Sequence, residues 1–405
     1  MTARQPNVVL IVNDQDAYYR HGWDTELKPA RPNFERVAQD GILFERAYTA
    51  CPLCTPARRS MLTGLLPHNH GHITLDPKEN TEGIDHGILF SQLAEQGYQL
   101  YFFGKWHAGP GTAQDYGCEG FSLPGYGNPY ISPEYKTYCE QRGLEEASFN
   151  LEHVFLEKIS PDQPQIGPGY QCKAQHAHTH VTGVMETPPD THEAQFLANL
   201  ACDKLRELAK QDDKNPFFLR VDFWGPHAPY LASPEYVDMY PSEQIPEYGN
   251  FGDDLSNKPL VYLKEWNHPI SRDNRLILPN LLPWTEWQRI MRYVYAQITQ
   301  VDAAGGLILD TLDELGMAEN TLVIWTADHG DAICSHGGHF GKESFLNEEV
   351  LRIPMALRWP EWIDRGQTSQ HLVSNMDCPV TVLNAAGTSI GGPVDGRNLL
   401  DLIND

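Results

Sequence analysis

Short, continuous apolar runs alternate along this chain with stretches in which apolar residues return every three or four positions. Val8–Val12 is β-branched or Leu throughout, and Tyr98–Phe103, Phe217–Phe223, Thr321–Thr326 and Ile353–Leu357 are strand-like too. Each predicts a short strand with little solvent-facing surface. Between them, Pro32–Gly41 predicts a helix with Gly41 as its stop. Leu197, Ala201, Leu205 and Leu208 recur at helical spacing within His192–Lys210, and Glu286–Leu315 predicts a longer helix with Gly305-Gly306 as a weak point. Strands separated by helices predict an α/β fold, a mostly parallel central sheet flanked by helices on both faces. Ligands of such sheets bind beyond the carboxyl ends of the strands. Here those ends are Asn13–Asp16, Gly104–His107, Trp224–His227 and Ala327–Gly330.

Composition narrows the functional classes. The 405 residues are read as one large α/β unit over 1–405, with loop-rich insertions at about 109–189 and 231–283 lying over the sheet edge. Thirty Lys and Arg against 54 Asp and Glu give a formal charge of −24, which opposes nucleic acid or an anionic membrane as the main partner. No run of about 18 apolar residues predicts a membrane span. Val8–Val12 is too short for a signal h-region, so the expected location is cytoplasmic, with a processed periplasmic form as the alternative. Eight cysteines scattered through the chain fit reduced thiols better than a dense disulfide scaffold.

The sharpest chemical signal is Cys51-Pro-Leu-Cys54-Thr-Pro-Ala-Arg58-Arg59-Ser60. A CxxC pair alone reads as a redox motif or half a zinc site, but no second CxxC follows. Pro56 just beyond Cys54 is favoured in the first turn of a helix. That puts Cys54 at a helix N-terminus, where free amides favour an anion. Cys54-Thr55-Pro56-Ala57-Arg58 resembles the Cys-x-Pro-x-Arg signature of the type I sulfatases of the alkaline phosphatase superfamily. The segments PNVVLIVNDQ, GKWHAG, GPHAPY, TLVIWTADHGD and RIPMALRWP resemble sulfatase segments in family order, from Pro6 to about Arg397.

That resemblance implies a formylglycine made from Cys54 by a separate maturation enzyme. It also implies one divalent metal held by Asp14, Gln15, residue 54, Asp328 and His329. Oxygen-rich ligands suit Ca²⁺, with Mn²⁺ as the second choice. Arg58, Lys105, His107, His227 and Lys342 complete the implied catalytic set. In the implied mechanism the hydrated aldehyde attacks a sulfate ester, of carbohydrate, aryl or alkyl type, while Arg58 holds it and Lys105 and Lys342 bind sulfate oxygens. His227, expected to titrate near working pH, protonates the leaving alcohol, and His107 takes the proton that lets the aldehyde re-form. Taken alone, Lys342 reads as a solvated surface lysine.

Gln15 stands where most sulfatases carry a second aspartate and resembles the phosphonate monoester hydrolase branch, so phosphodiester or phosphonate monoester hydrolysis is the alternative. That branch lacks the Lys and His of GKWH, which this chain keeps. An unmodified Cys54 would instead fit a metal-binding or CxxC redox protein. His176, His178 and His180 alternate, as do His68, His70 and His72; the first group reads as exposed loop histidines, and one of the second is expected to line the pocket. Family members continue into a small C-terminal subdomain that is expected here to be short or missing.

Overall fold

The computed structural model describes residues 5–18, 27–76, 78–81, 83, 88–154, 169–177, 180–212, 215–259, 262, 283–342 and 345–403. Its main sheet has eight strands: β1 (Asn7–Asp14), β2 (Ile42–Tyr48), β3 (Gln99–Lys105), β4 (Glu119–Leu123), β8 (Phe217–Pro226), β10 (Thr321–Ala327), β11 (Met355–Arg358) and β12 (Gln367–Ser374). They lie in the order β12-β2-β11-β10-β1-β8-β3-β4. Only β11 runs antiparallel to its neighbours, so the sheet is mostly parallel.

Alternate side chains of the central strands enter two different cores. Val9, Ile11, Leu219, Val221, Val323 and Trp325 pack with the helices Glu193–Leu208 and Trp284–Glu314. Val8, Leu10, Val12, Phe218, Leu322 and Ile324 pack on the opposite face with Cys54–Thr63, Leu89–Glu95 and Asp377–Ala385. Burial on both faces explains why these strands read as unbroken apolar runs.

Gly305 and Gly306 are no weak point. The helix Trp284–Glu314 runs through them without a break. A Cβ on Gly305 would lie 2.2 Å from the Trp325 ring, and one on Gly306 would lie 2.4 Å from the Asn33 side chain. The pair lets the helix sit close against β10 and the Pro32–Gln39 helix. Gly305→Ala is therefore expected to destabilise by about 1–3 kcal/mol, the cost of overpacking, although alanine is the better helix former. The midpoint of urea unfolding reads the effect, and an unchanged or raised midpoint would contradict it.

The stretch 109–189 contains more order than its loop-rich composition predicts. It holds β4, the helix Pro133–Arg142, and β5 (Ser148–Val154), β6 (Tyr170–Lys173) and β7 (Val181–Met185). With β9 (Tyr230–Ala232) these last three strands form a second sheet, ordered β6-β5-β7-β9. Phe149, Leu151, Val181 and Met185 bury one side of it in the main core. Residues 155–168, and most of 231–283 beyond 259, lie outside the described residues, as does His178.

Candidate active site

Strand ends deliver most of the site. β1 ends on Asp14, β3 on Lys105, and β10 stops one residue before Asp328 and His329. β8 runs one residue short of His227. Gly104 (φ 119°) allows β3 to approach β8 closely, because a Cβ there would meet the Asp222 carbonyl at 2.0 Å. The helix Cys54–Thr63 begins at the thiol and is closed by Gly64 in the left-handed conformation, whose N–H bonds the Ser60 carbonyl. This helix points its first turn at the strand ends.

Cys54 is 1% exposed. Its Sγ lies 3.2 Å from His329 Nε2, 3.6 Å from Lys105 Nζ and 3.7 Å from Asp14 Oδ1. Lys342 and His107 also stand beside the thiol. Lys342 is no surface residue: it is buried, and its Nζ donates to Gln15 Oε1 at 2.6 Å. Burial opposes a thiolate at Cys54, but Lys105 and Lys342 outweigh it and hold the thiol well below its usual range. Cys51, in contrast, is pushed up to about 11 by burial, and both thiols are free.

Arg58 is fully buried and ties the strand ends together. Its Nε donates to Asp328 at 2.9 Å, while Nη1 donates to Asp222 at 2.7 Å and to the Lys105 carbonyl at 3.0 Å. Asp14 stands 3.6 Å from Nη2, which makes no hydrogen bond. Asp222 is in turn held by Arg220 through two hydrogen bonds of 2.6 and 2.8 Å. The motif reading missed Asp222. Its signal was present, since Arg220-x-Asp222 places two charges on one face of a strand that is otherwise apolar.

Asp14 Oδ, Cys54 Sγ, an Asp328 carboxylate oxygen and a His329 ring nitrogen all lie within 4.8 Å of one another. His329 Nδ1 donates to the Gly330 carbonyl at 2.9 Å, which fixes the tautomer and leaves Nε2 as a ligand atom. Burial and the nearby Asp14 carboxylate push Asp328 up to about 6. Burial also disfavours the charged form of Asp14, but Lys105, His227 and Arg58 hold it well below the usual range. Two converging carboxylates and one oriented imidazole fit a divalent cation.

Gln15 takes a left-handed backbone (φ 61°) and its N–H donates to Asp328. Its amide Nε2 donates to Asp331 at 2.7 Å, so its oxygen is the atom left for Lys342 and for a cation. Asp331, Asn375 and Tyr126 were not singled out by motif. Asn375 and Thr49 hold the Asp328 carbonyl at 2.8 and 2.6 Å. Tyr126 places its ring 4.2 Å from Lys105 Nζ and its hydroxyl 3.2 Å from His227 Nδ1.

His227 departs from the expectation that it titrates near working pH. Burial, then Lys342, then Lys105 overcome the opposing pull of Asp14 and bring it down to about 3. Its Nδ1 donates to the Ala228 carbonyl at 2.7 Å, so Nε2 is the nitrogen left to carry a transferred proton. Burial likewise lowers His107.

The remaining histidines separate. His68 and His176 are exposed, and His180 packs edge-on against Phe340. His70 is buried 3.0 Å from Ser60 Oγ. With His72 it lines a cavity of about 570 Å³ that also has His107 in its wall.

Residues 6–388 match the family described as sulfatase. The chain is 26% identical to an arylsulfatase of Clostridium perfringens, covering 99% of this chain and 79% of that one. It is 25% identical to the human N-acetylglucosamine-6-sulfatase, covering 99% and 64%. Its fold is similar to that of a phosphonate monoester hydrolase from Silicibacter pomeroyi, with a TM-score of 0.74, 21% identity, and coverage of 98% and 76%. Together with the buried thiol, cations and carboxylates at the strand ends, the family match over nearly the whole chain shows that this protein belongs to the sulfatase family.

Proposed function

We propose that this chain hydrolyses sulfate esters with residue 54, matured to formylglycine, as its nucleophile. The observation that supports this most is the convergence of Lys105, His107, His227 and Lys342 on position 54. The relatives named for aryl and N-acetylglucosamine sulfates make carbohydrate or aryl sulfates the favoured class.

Asp14, Asp328, His329, residue 54 and Gln15 would hold the divalent ion. Two carboxylates and an amide oxygen favour Ca²⁺, and the imidazole keeps Mn²⁺ second. When bound, the ion supplies Lewis acidity that stabilises negative charge on the nucleophile and the sulfate. Formylglycine supplies an oxygen nucleophile and, afterwards, a carbonyl whose return expels sulfate.

The side chains do the rest. Arg58, fixed by three carboxylates, keeps Nη2 without a hydrogen bond and would use it to orient residue 54. Lys105 and Lys342 neutralise charge on sulfate oxygens, where a water-poor site makes charge-assisted bonds strong. Burial, then Lys342 and Lys105, disfavour the charged form of His227; a bound sulfate would offset the two lysines and so favour a proton, taken up from solvent, on Nε2 for the leaving alcohol. His107 accepts the proton released when the aldehyde re-forms.

Gln15 favours a second reading, phosphodiester or phosphonate monoester hydrolysis. Phenyl sulfate esters and aryl phosphodiesters compared by kcat/KM on one preparation decide between the two. Lys105→Ala is expected to lower kcat/KM for the sulfate by about 10²–10³-fold, the loss typical of one electrostatic donor. A wild-type preference for the diester, or an indifferent Lys105→Ala variant, moves the assignment to the second reading.

A further inference from the structure

The Cys54–Thr63 helix presents two neighbouring i, i+4 pairs in two directions. Cys54 and Arg58 face the reaction centre. Thr55 and Arg59, each one residue on and about 100° round the axis, line the cavity of about 570 Å³. His107 belongs to the wall of that cavity and also stands beside Cys54. The cavity therefore adjoins the reaction centre, with His107 between them.

Among the described residues, no acid answers the charge of Arg59. Its Nε and Nη1 are buried and make no hydrogen bond. No aspartate or glutamate occurs among the described residues that line the cavity. Arg58, next in the chain, is matched by Asp14, Asp222 and Asp328. Leaving the two buried donors of this half-buried guanidinium unpaired is costly, and it is unexpected in a chain with 24 excess acidic residues. The two nearby histidines add no charge of their own near neutral pH: burial, His72 and Arg59 bring His70 down to about 4, and burial and Arg59 lower His72. The cavity is thus a positive recess in a strongly acidic protein.

We propose that Arg59 anchors a second anion subsite, so that the substrate carries a carboxylate or a further sulfate besides the scissile ester. This rests on the sulfatase reading above and adds the substrate's second charge to it. The Cα atoms of residues 54 and 59 are about 7.5 Å apart along the helix axis. The second anion accordingly sits on the same ring as the ester or on the adjoining one. Its oxygens accept from the Arg59 N–H groups, and Thr55, on the same helix face, lines the approach.

The probes are phenyl sulfate and its ortho-, meta- and para-carboxylate derivatives. They are assayed on the matured wild-type enzyme and on Arg59→Gln and Arg59→Lys. For at least one carboxylated isomer the wild-type kcat/KM is expected to exceed that for phenyl sulfate by roughly 10- to 100-fold, the range of one charge-assisted contact. Arg59→Gln brings that ratio close to one, and Arg59→Lys restores part of it. A wild-type ratio at or below one for every isomer, or a preference that survives Arg59→Gln, overturns the assignment. If none of the probes is hydrolysed, the aryl-sulfate form of the sulfatase reading fails by itself. The ratio is then taken from calorimetric Kd values, and the same two outcomes decide the role of Arg59.

Discussion

Cys54→Ala is expected to abolish turnover, with a loss on the order of 10⁵–10⁶-fold in kcat, as when an enzyme loses its nucleophile. Active wild-type protein, made beside a formylglycine-generating enzyme, is expected to carry an aldehyde at position 54. The geometry gives the reason. Several candidates converge on this one atom position, with His329, Lys105 and Asp14 all within 3.7 Å of the sulfur. Alanine keeps the helix start and its Ala57 N–H to Leu53 carbonyl bond, so the fold should survive and the loss can be assigned to chemistry. Peptide mass spectrometry on the fragment containing residue 54, read beside the activity of the same batch, checks the claim. An intact thiol in fully active protein would falsify the mechanism.

Removal of the divalent ion is expected to be nearly as damaging. Exhaustive chelation should stop turnover, and Ca²⁺ should restore it more fully than Mn²⁺. Asp328→Asn should hold little metal and lose at least about 10³-fold in kcat, more than one electrostatic donor usually contributes. Asparagine is preferred to alanine because its Oδ1 still accepts from the backbone N–H groups of Gln15 and His329, although its amide NH2 cannot replace the oxygen that accepts from Arg58 Nε. Stripping a partner from a buried guanidinium costs about 3–5 kcal/mol, which would confuse lost metal with lost fold. Metal content by mass spectrometry, with far-ultraviolet circular dichroism as the folding control, separates the two. A metal-free wild type with undiminished activity would contradict the assignment.

The central sheet was legible because its strands are buried on both faces and carry unbroken apolar runs. The metal-site candidates and most catalytic candidates followed from motif text placed after those runs. Other features were hidden for identifiable reasons. β5, β6 and β7 are short and lie among Pro, Gly and polar residues, so their long-range pairing decides them more than local pattern does. Gly305-Gly306 looked like a break because a single sequence does not show the Trp325 ring and Asn33 pressed against it. His227 carries an ordinary histidine's expectation until Lys105 and Lys342, remote in sequence, are seen beside it. Arg59 carries no signal in the sequence beyond its place in the motif, and its lack of an acid partner among the described residues shows only in the fold.

The burial of Cys54 also sets an order of events. Its sulfur lies beneath Lys105, His329 and Asp14, on a helix pinned by Arg58 to the ends of β1, β3 and β10 and to Asp222 within β8. On the proposed formylglycine reading, an enzyme that oxidises this thiol would have to reach it before the fold closes over it. Maturation would then compete with folding for the same stretch of chain. A molecule that folded first would keep its thiol until it opened again, and the active fraction of a preparation would be set by a race during synthesis and not by later exposure to the maturing enzyme.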